Sequence, residues 1–515
     1  MADKRFIPYV QNQVMLLPPD LDNMVPKDHM VRVINNVIDV IDTSALLSLY
    51  PGGGRSAYHP VMLLKVVTFA YASGIFSSRK IAAASKESIY FLWLTGQTTL
   101  DHNTINRFRS ERIAPLFENI FTEVVSLLAN HGHLDLDTYF LDGTKIEANA
   151  NKYSFVWKRS ATYYSDNLRK KVADHLEQID KLNDEEEALL GDKEVEDITS
   201  SDIEEVARRI NQRLKKSPKD KNLKKAAKKI ESDYLPRLKK YEDQIAMCGE
   251  GRYSYAKTDT DATFMRMKED HMLNGQLKAG YNAQIGTNNQ FVLAYSIHQD
   301  RSDSVTLSHH LSHFKDQFGK MPERICADAG YGSEENYALL EESDVEAYIK
   351  YNMFHKEQKH RYKTRTKSYK FADFSYCTDT DSYTCPEGQV LTFEREAIRK
   401  TTTGHKTTSR IYRCSDCASC PVKTKCIQKG ASTRQLWVNI ERIRLQEKAK
   451  ALLVSNEGID LQKRRATDVE SVFGNTKHNH RFRRFSMRGI EKVSLEWGWM
   501  MLGHNMRKLQ AQMAG

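Results

Sequence analysis

"TYFLDGTKIEANANKYSFVWKR", residues 138–159, begins like a buried strand and ends in amides, aromatics and bases. The opening run is apolar enough to lie in a core, and it delivers one acid, Asp142, followed at once by Gly143. An acid at the C-terminal end of a core strand projects from the sheet edge into a cleft, and the glycine lets the chain turn away. Asp142 is therefore a candidate functional group. Residues 142, 144 and 146 share one face of a strand, so Glu147 points the other way. The second half, with Asn149, Asn151, Lys152, Trp157 and Lys158, reads as an exit from the core placed to touch a polyanion.

Working outward, "RICADAGYGSEENYALLEE" (324–342) repeats the pattern: a short apolar strand ends at Asp328, and Gly330 and Gly332 lead into a helix. Between these two strands lies "GQLKAGYNAQIGTNNQFVLAYSIHQD" (275–300), two strands about a turn at Gly286–Asn289. Strand, hairpin, helix, strand, helix, strand predicts a mixed α/β layer. The third candidate acid lies in "LQKRRATDVESVFGNTKHNHRFRRF" (461–485). Val469, Val472, Phe473 and Thr476 mark the buried stripe of a helix. Lys463, Glu470 and Lys477, two helical turns apart each, form a second stripe beside it. Gly474 suggests close approach of a neighbour to the helix backbone. Asp259, Asp261, Asp300 and Asp303 are rival acids, which we assign to turns or to supporting positions.

Three separated carboxylates suit two divalent cations roughly 4 Å apart, because hard cations prefer oxygen ligands. "HNHRFRRFSMRG" (478–489) interleaves Arg481, Arg483 and Arg484 with Phe482 and Phe485, a composition suited to phosphates and stacked bases. The formal net charge of +10 points the same way. Near the other end, "QTTLDHNTINRFRSERIAPLF" (97–117) follows a helix ending in Gly96. It offers Thr99, Asp101 or Asn103 as an N-cap and carries Asn103, Asn106, Arg107, Arg109 and Arg112 outward, as a helix-turn-helix would.

A chain of 515 residues is too long for one core. We read an amino-terminal helical DNA-binding domain over 1–130, a first core segment over 131–159 and a charged helical insertion over 160–255. A second core segment follows over 256–352, then a cysteine-rich insertion over 353–436 and carboxy-terminal helices over 437–515 that complete the core. The insertion is broken at Ser217-Pro218, and its lysines form a solvated face. No apolar run approaches the roughly eighteen residues of a membrane span, and "MADKRFIPYV" lacks the apolar centre of a secretory signal, so a soluble intracellular chain is expected. Of eight cysteines, five fall between Cys385 and Cys426, a density that in a reducing compartment reads as metal ligation before disulfides. Cys248 and Cys326 read as buried core residues.

With these residues in view, the chain resembles the DDE transposases of bacterial insertion sequences, in the long branch with an amino-terminal helical domain and a cysteine-bearing insertion. "HPVMLLKVVTFAYASG", "DHNTINRFR", "LDGTKIEANANKYSFVWKR", "TDTDATFMRMK", "GYNAQIG", "ADAGYGSEENY", "VESVFGNTKHNHRFRRFSMRG" and "HNMRKL" carry the resemblance by their order and spacing. It implies a ribonuclease-H-like mixed-sheet core with Asp142, Asp328 and Glu470 binding Mg²⁺ or Mn²⁺, and Lys477 seven residues after the Glu. Related branches carry an Arg four residues before the Glu; here that position is Ala466, and Arg465 is the substitute. The resemblance favours Cys385, Cys417, Cys420 and Cys426 as ligands of a structural Zn²⁺ in a small zinc-ribbon-like insertion, with Cys414 or Cys377 as exchanges. The implied activity is cleavage at terminal inverted repeats and transfer to target DNA, by a homodimer in the bacterial cytoplasm at the nucleoid. Asn103, Asn106, Arg107, Arg109, Lys152, Trp157, Lys158, Arg465, Arg481, Arg483 and Arg484 would face that double-stranded DNA. A non-catalytic DNA-binding regulator and a metal-dependent nuclease without strand transfer are the alternatives.

Overall fold

The computed structural model describes residues 20–50, 57–183, 189–190, 193–216, 220–267, 276–358, 369–427 and 430–514. The readings made on residues 1–10 and on the Ser217-Pro218 break lie outside them. Helices α1 (Met30–Val40), α2 (Pro60–Ala72), α3 (Ser78–Glu87), α4 (Ile89–Thr95), α5 (His102–Arg107) and α6 (Ala114–Asn130) precede β1 (Thr138–Glu147). After β2 (Phe155–Trp157) come helices α7 (Lys158–Asn183), α8 (Ser200–Lys216), α9 (Lys221–Lys229) and α10 (Leu235–Cys248), then β3 (Ser254–Ala256). The chain continues through β4 (Thr263–Arg266), β5 (Leu277–Asn288), β6 (Phe291–His298), α11 (Leu307–Phe318), β7 (Arg324–Ala327), α12 (Glu334–Glu342) and β8 (Glu346–Ile349). Strands β9 (Ser375–Cys377), β10 (Ser382–Thr384), β11 (Val390–Lys400), β12 (Lys406–Cys414) and β13 (Gln435–Val438) form a separate sheet. Helices α13 (Ile440–Val454), α14 (Asn456–Gly474) and α15 (Ile490–Ala514) end the described chain.

The central sheet runs β4-β5-β1-β7-β8, with β6 also paired to β5. Strand β1 is antiparallel to β5 and parallel to β7, and β7 is parallel to β8. Strand β1 is central because Tyr139, Phe140 and Leu141 bury both of its faces. The hairpin β5–β6 forms where expected, but its turn is Asn289–Gln290, with φ of 52° and 67°. Both residues sit in the left-handed region that a tight two-residue hairpin turn requires.

That turn is held from behind. Asp468 on α14 accepts the Gln290 backbone N–H at 2.9 Å, and the His504 ring on α15 bonds the Gln290 carbonyl at 2.9 Å. The Asn505 amide exchanges two 2.8 Å hydrogen bonds with the backbone of Val292 on β6. Helix α15 lies in the middle of the protein, with Trp497, Trp499, Met500 and Met501 fully buried. At Gly503 it crosses α2 so closely that an added Cβ would lie 2.8 Å from the Ala72 backbone nitrogen.

One hydrophobic core joins the amino-terminal helices, the sheet and α15, from Val25 to Leu509. Helices α7–α10 own a second core built on Leu168, Val172, Leu176, Ile203, Ile210, Leu223 and Leu238. The helical insertion is thus a bundle, entered and left through the paired strands β2 and β3. A third, smaller core lies under β10–β13. Among the described residues no helix is long and apolar enough to cross a membrane.

Behind β1 runs a buried polar chain. The Tyr139 hydroxyl meets His310 Nε2 at 2.7 Å, and Ser296 Oγ lies 2.7 Å from both His310 Nδ1 and His298 Nε2. Burial drives the pKa of His298 down to about 3 and that of His504 down to about 4, and it holds His310 well below the ordinary imidazole range. Each is neutral when folded, whereas the unfolded chain binds protons near pH 6.5, so the stability they support above that pH is lost as pH falls. We expect urea unfolding to show a loss of about 2 kcal/mol per histidine between about pH 8 and pH 5. A midpoint that does not move over this range would show that these rings are charged in the folded protein.

Candidate active site

The parallel pairing of β1 with β7 sets Leu141 opposite Ala327. Asp142 and Asp328 are the next residues on each strand, so the two acids stand at one level on neighbouring strands. Asp142 is buried, with Oδ1 accepting the Gly143 N–H at 2.8 Å and Oδ2 lying 3.2 Å from the Arg465 guanidinium. Asp328 directly follows β7, and its Oδ1 accepts the Gly330 N–H at 2.8 Å.

Gly143 does not turn the chain away, since β1 continues to Glu147. Glycine stands there because a Cβ would run into the side-chain amide of Gln284 on β5. That amide is the centre of a polar floor. Gln284 Nε2 donates to Asn282 Oδ1 and to Asp303 Oδ1, each at 3.0 Å, and Asn282 Nδ2 donates to Asp303 Oδ1 at 2.7 Å. The fully buried Tyr331 hydroxyl donates to Gln284 Oε1. Burial, with Asp303, Asp142 and Asp328 nearby, pushes the Tyr331 hydroxyl well above the usual phenol range and keeps it a donor. Asp303, read from the sequence as a turn or supporting acid, stands in this floor, whereas Asn282, Gln284 and Tyr331 were not singled out as site residues by sequence reasoning. The available signal was the alternation in "GYNAQIG", where Asn282 and Gln284 interrupt an otherwise apolar central strand.

Glu470 lies on α14, the helix packed across β1, β5 and β7, and it is exposed. Val469 and Val472 form the buried stripe of that helix, and Lys477 is buried in the turn after it. Among the described residues no three His, Cys, Asp or Glu side chains are arranged to hold a metal ion. The oxygens of Asp142 and Asp328 have the right chemistry for a hard divalent cation, but Arg465 stands against one of them. Among the described residues an added Cβ at Gly474 would meet nothing within 4 Å, so the expected close neighbour is not among them.

Several residues expected to face DNA are buried or tied to other parts of the protein. Arg109 is 4% exposed; its Nη1 donates to Tyr71 Oη at 2.9 Å and to the Phe76 carbonyl, and its charge faces the fully buried Glu496. It is buried because residues 108–112 coil against α15, where Trp499 Nε1 donates to the Arg109 carbonyl at 3.0 Å. Phe482 and Phe485 are 2% exposed and pack on each other at a centroid distance of 5.5 Å, so they are not stacking platforms for bases. Arg484 donates to the carbonyls of Ala148 and Ala150 at 3.1 and 2.8 Å. Lys158 donates to the Gly249 carbonyl at 2.5 Å, and Trp157 packs near Phe264. Asn103, Asn106, Arg107, Lys152, Arg481, Arg483 and Arg484 are exposed. The N-cap of α5 is Asp101, whose carboxylate accepts the Thr104 N–H at 2.9 Å.

Cys385, Cys414, Cys417, Cys420 and Cys426 line one small cavity of about 20 Å³. Burial and the neighbouring Cys417 push the Cys414 thiol up to about 12, and Cys414 Sγ donates to the Asp416 carbonyl at 3.3 Å. The donor set suits Zn²⁺, though among the described residues no three of these thiols stand in a metal-holding arrangement. Cys248 and Cys326 are buried as expected, and burial pushes the Cys326 thiol up to about 11.

Fold and site together define a mixed α/β protein with a helical amino-terminal region, consistent with a ribonuclease-H-like core. A family model described as "Transposase DDE domain" matches residues 384–510, and one described as "Transposase domain (DUF772)" matches residues 19–111. Together they indicate a DDE transposase of the insertion-sequence type, and the first supports an enzyme of the nuclease and transposase class. No curated protein matches the chain.

Arg109 and Arg107 can be told apart. Arg109→Ala leaves Glu496 buried without its counter-charge, and we expect a loss of roughly 3–5 kcal/mol in chemical unfolding, with DNA binding lost as the protein unfolds. Arg107→Ala, on the exposed face, should leave unfolding unchanged and weaken DNA binding alone. Equal stability of the two variants would contradict the buried role of Arg109.

Proposed function

We propose that the protein is a DNA transposase that binds the terminal inverted repeats of its own element, cuts phosphodiester bonds at the ends and joins the strands to target DNA. The observation that carries this reading is the meeting of Asp142 and Asp328 on adjacent parallel strands, in a chain matched by two transposase families. Asp142, Asp328 and Glu470 would hold two Mg²⁺ or Mn²⁺ ions, which when bound would activate the attacking oxygen and stabilise the leaving one. Water attacks the phosphorus, the P–O3′ bond breaks, and the freed 3′-hydroxyl then attacks a phosphodiester of the target with loss of the target's own O3′. The protein's part is placement. Tyr331, Gln284 and Asp303 hold the floor beneath the acids, and Arg465 balances the charge of Asp142.

In this reading Lys477 positions a phosphate of the DNA strand, and the exposed Asn103, Asn106 and Arg107 read the ends. Lys152, Arg481 and Arg483 supply sequence-independent contacts to phosphates. Two copies of the chain are needed, because two ends must be paired before joining. Labelled DNA bearing the inverted repeats that flank the gene, incubated with Mg²⁺ or Mn²⁺, provides the test. Asp142→Asn, Asp328→Asn and Glu470→Gln should each cut cleavage by about 10²-fold or more while binding persists. Full activity of Glu470→Gln would remove Glu470 from the site, and a wild type that binds but neither nicks nor joins would end the transposase reading.

We also propose a structural Zn²⁺ on Cys385, Cys417, Cys420 and Cys426, on the strength of five thiols around one cavity. Elemental analysis of purified protein should then find about one zinc per chain, reduced in Cys417→Ser together with a lower melting temperature. Zinc-poor protein that melts cooperatively, with all these thiols open to a thiol reagent, would show that the segment folds without metal.

A further inference from the structure

A second cavity, of about 380 Å³, lies where three separate segments meet. Arg252 and Tyr253 come from the end of the helical insertion, Asp300 and Arg301 from the exit of β6, and Thr402 and Thr403 from the tip of the β11–β12 hairpin. The volume falls within the roughly 300–1,000 Å³ typical of ligand sites. The hairpin tip is docked there, since Thr403 Oγ1 donates at 2.6 Å to Glu335, in the first turn of the helix that follows Asp328. Arg301 lies two residues before Asp303, a span of at most ~7 Å of chain, so the cavity adjoins the polar floor of the acids.

The charges in the cavity are not equally matched. Arg252 is committed: it donates to the Thr260 carbonyl at 2.8 Å and to the Met247 carbonyl, and its charge faces Asp300. Arg301 is not. Among the described residues its Nε and Nη2 are buried without a hydrogen-bond partner and no carboxylate pairs with it. Buried guanidinium N–H groups with unmade hydrogen bonds are costly unless something completes them, and the planar fork suits phosphate oxygens. The guanidinium carbon sits 5.4 Å from the centroid of the Tyr253 ring, and Tyr253 is 62% exposed. An exposed aromatic face beside an unpaired arginine offers a phosphate contact and a stacking surface within one nucleotide's length.

Resting on the transposase reading above, we propose that this cavity holds one nucleotide of the DNA strand adjoining the scissile phosphodiester, its phosphate on Arg301 and its base stacked on Tyr253. The test uses the full chain and a duplex bearing the flanking inverted repeat, with 2-aminopurine placed in turn at each nucleotide near the cut. Wild type should quench the fluorescence at one position, and Tyr253→Ala should abolish that quenching and weaken binding roughly tenfold. Tyr253→Phe should restore both. Arg301→Ala should lower the salt dependence of binding by about 0.7–0.9 in log–log slope, the loss of one phosphate contact, and Arg301→Lys should keep most of the slope. Melting curves check that the arginine variants fold; if Arg301→Ala does not, the exposed Tyr253 decides. Wild-type cleavage together with unchanged quenching and affinity in Tyr253→Ala overturns the proposal and leaves the transposase reading standing. A wild type that cannot cleave undermines the transposase reading instead.

Discussion

The parallel pairing of β1 with β7 is the constraint on which the site depends. It fixes Leu141 opposite Ala327 and so delivers two acids from strands distant in sequence to one level. A slip of one residue would send Asp142 to the other face of the sheet. Register is protected by burial, because Tyr139, Phe140, Leu141, Ile325 and Cys326 are all at or below 1% exposure. Side by side, two carboxylates repel, and the surroundings offset this with oriented donors. Backbone N–H groups of Gly143 and Gly330 each bond one acid, and Arg465 faces Asp142. Beneath them the amides of Asn282 and Gln284 bind Asp303, and Tyr331 stays protonated to complete the chain of bonds. In a low-dielectric interior such a network rigidifies only when its members are satisfied, which explains why Gly143 must leave room for the Gln284 amide.

The same logic extends to the back of the sheet. The β5–β6 turn is strained into the left-handed region and is bound by Asp468 from α14 and His504 from α15. The helix that carries Glu470 is thereby referenced to the sheet through a residue two positions earlier. Helix α15 in turn packs on α2 and on β6, and the amino-terminal helices share its core. Arg109, Tyr71 and Glu496 tie the segment after α5 into that core. The exposed face of α5 is accordingly held at a fixed place relative to the acids, without a flexible linker between them among the described residues.

Much of this was legible in the sequence, and what was not has physical reasons. Hydrophobic period and turn chemistry placed the strands bearing Asp142 and Asp328, the β5–β6 hairpin, the charge-laced helices and the buried stripe of α14. Strand ends were harder to read. Gly143 looked like a terminator because glycine marks turns, whereas here it answers to a side chain on the neighbouring strand, which no local pattern reveals. Arginine was the least readable residue. A basic, helical stretch such as "NRFRSER" gives no local sign that one arginine of several turns inward to meet a glutamate nearly four hundred residues later. Phe482 and Phe485 failed for the complementary reason: aromatics between bases read equally as stacking platforms or as core, and the tertiary partner Trp497 decided for core.

The distribution of spent and unspent charge follows from these cases. A formal net charge of +10 suggests a uniformly basic surface, but the arginines divide by environment. Arg109 and Arg465 are engaged by buried partners, so they fix geometry and add little to encounter with a polyanion. The lysines of α9 lie on an exposed face and are screened by salt, which suits long-range attraction and gives no positional information. Between these classes stands Arg301, partly enclosed, unpaired among the described residues and two residues from Asp303. Desolvation raises the value of any anion that reaches it, since the interaction grows as the local dielectric falls. Surface lysines can gather DNA and engaged arginines can shape the cleft. In the proposed contact a phosphate would be set beside the acids by a cation that is partly enclosed and still incomplete.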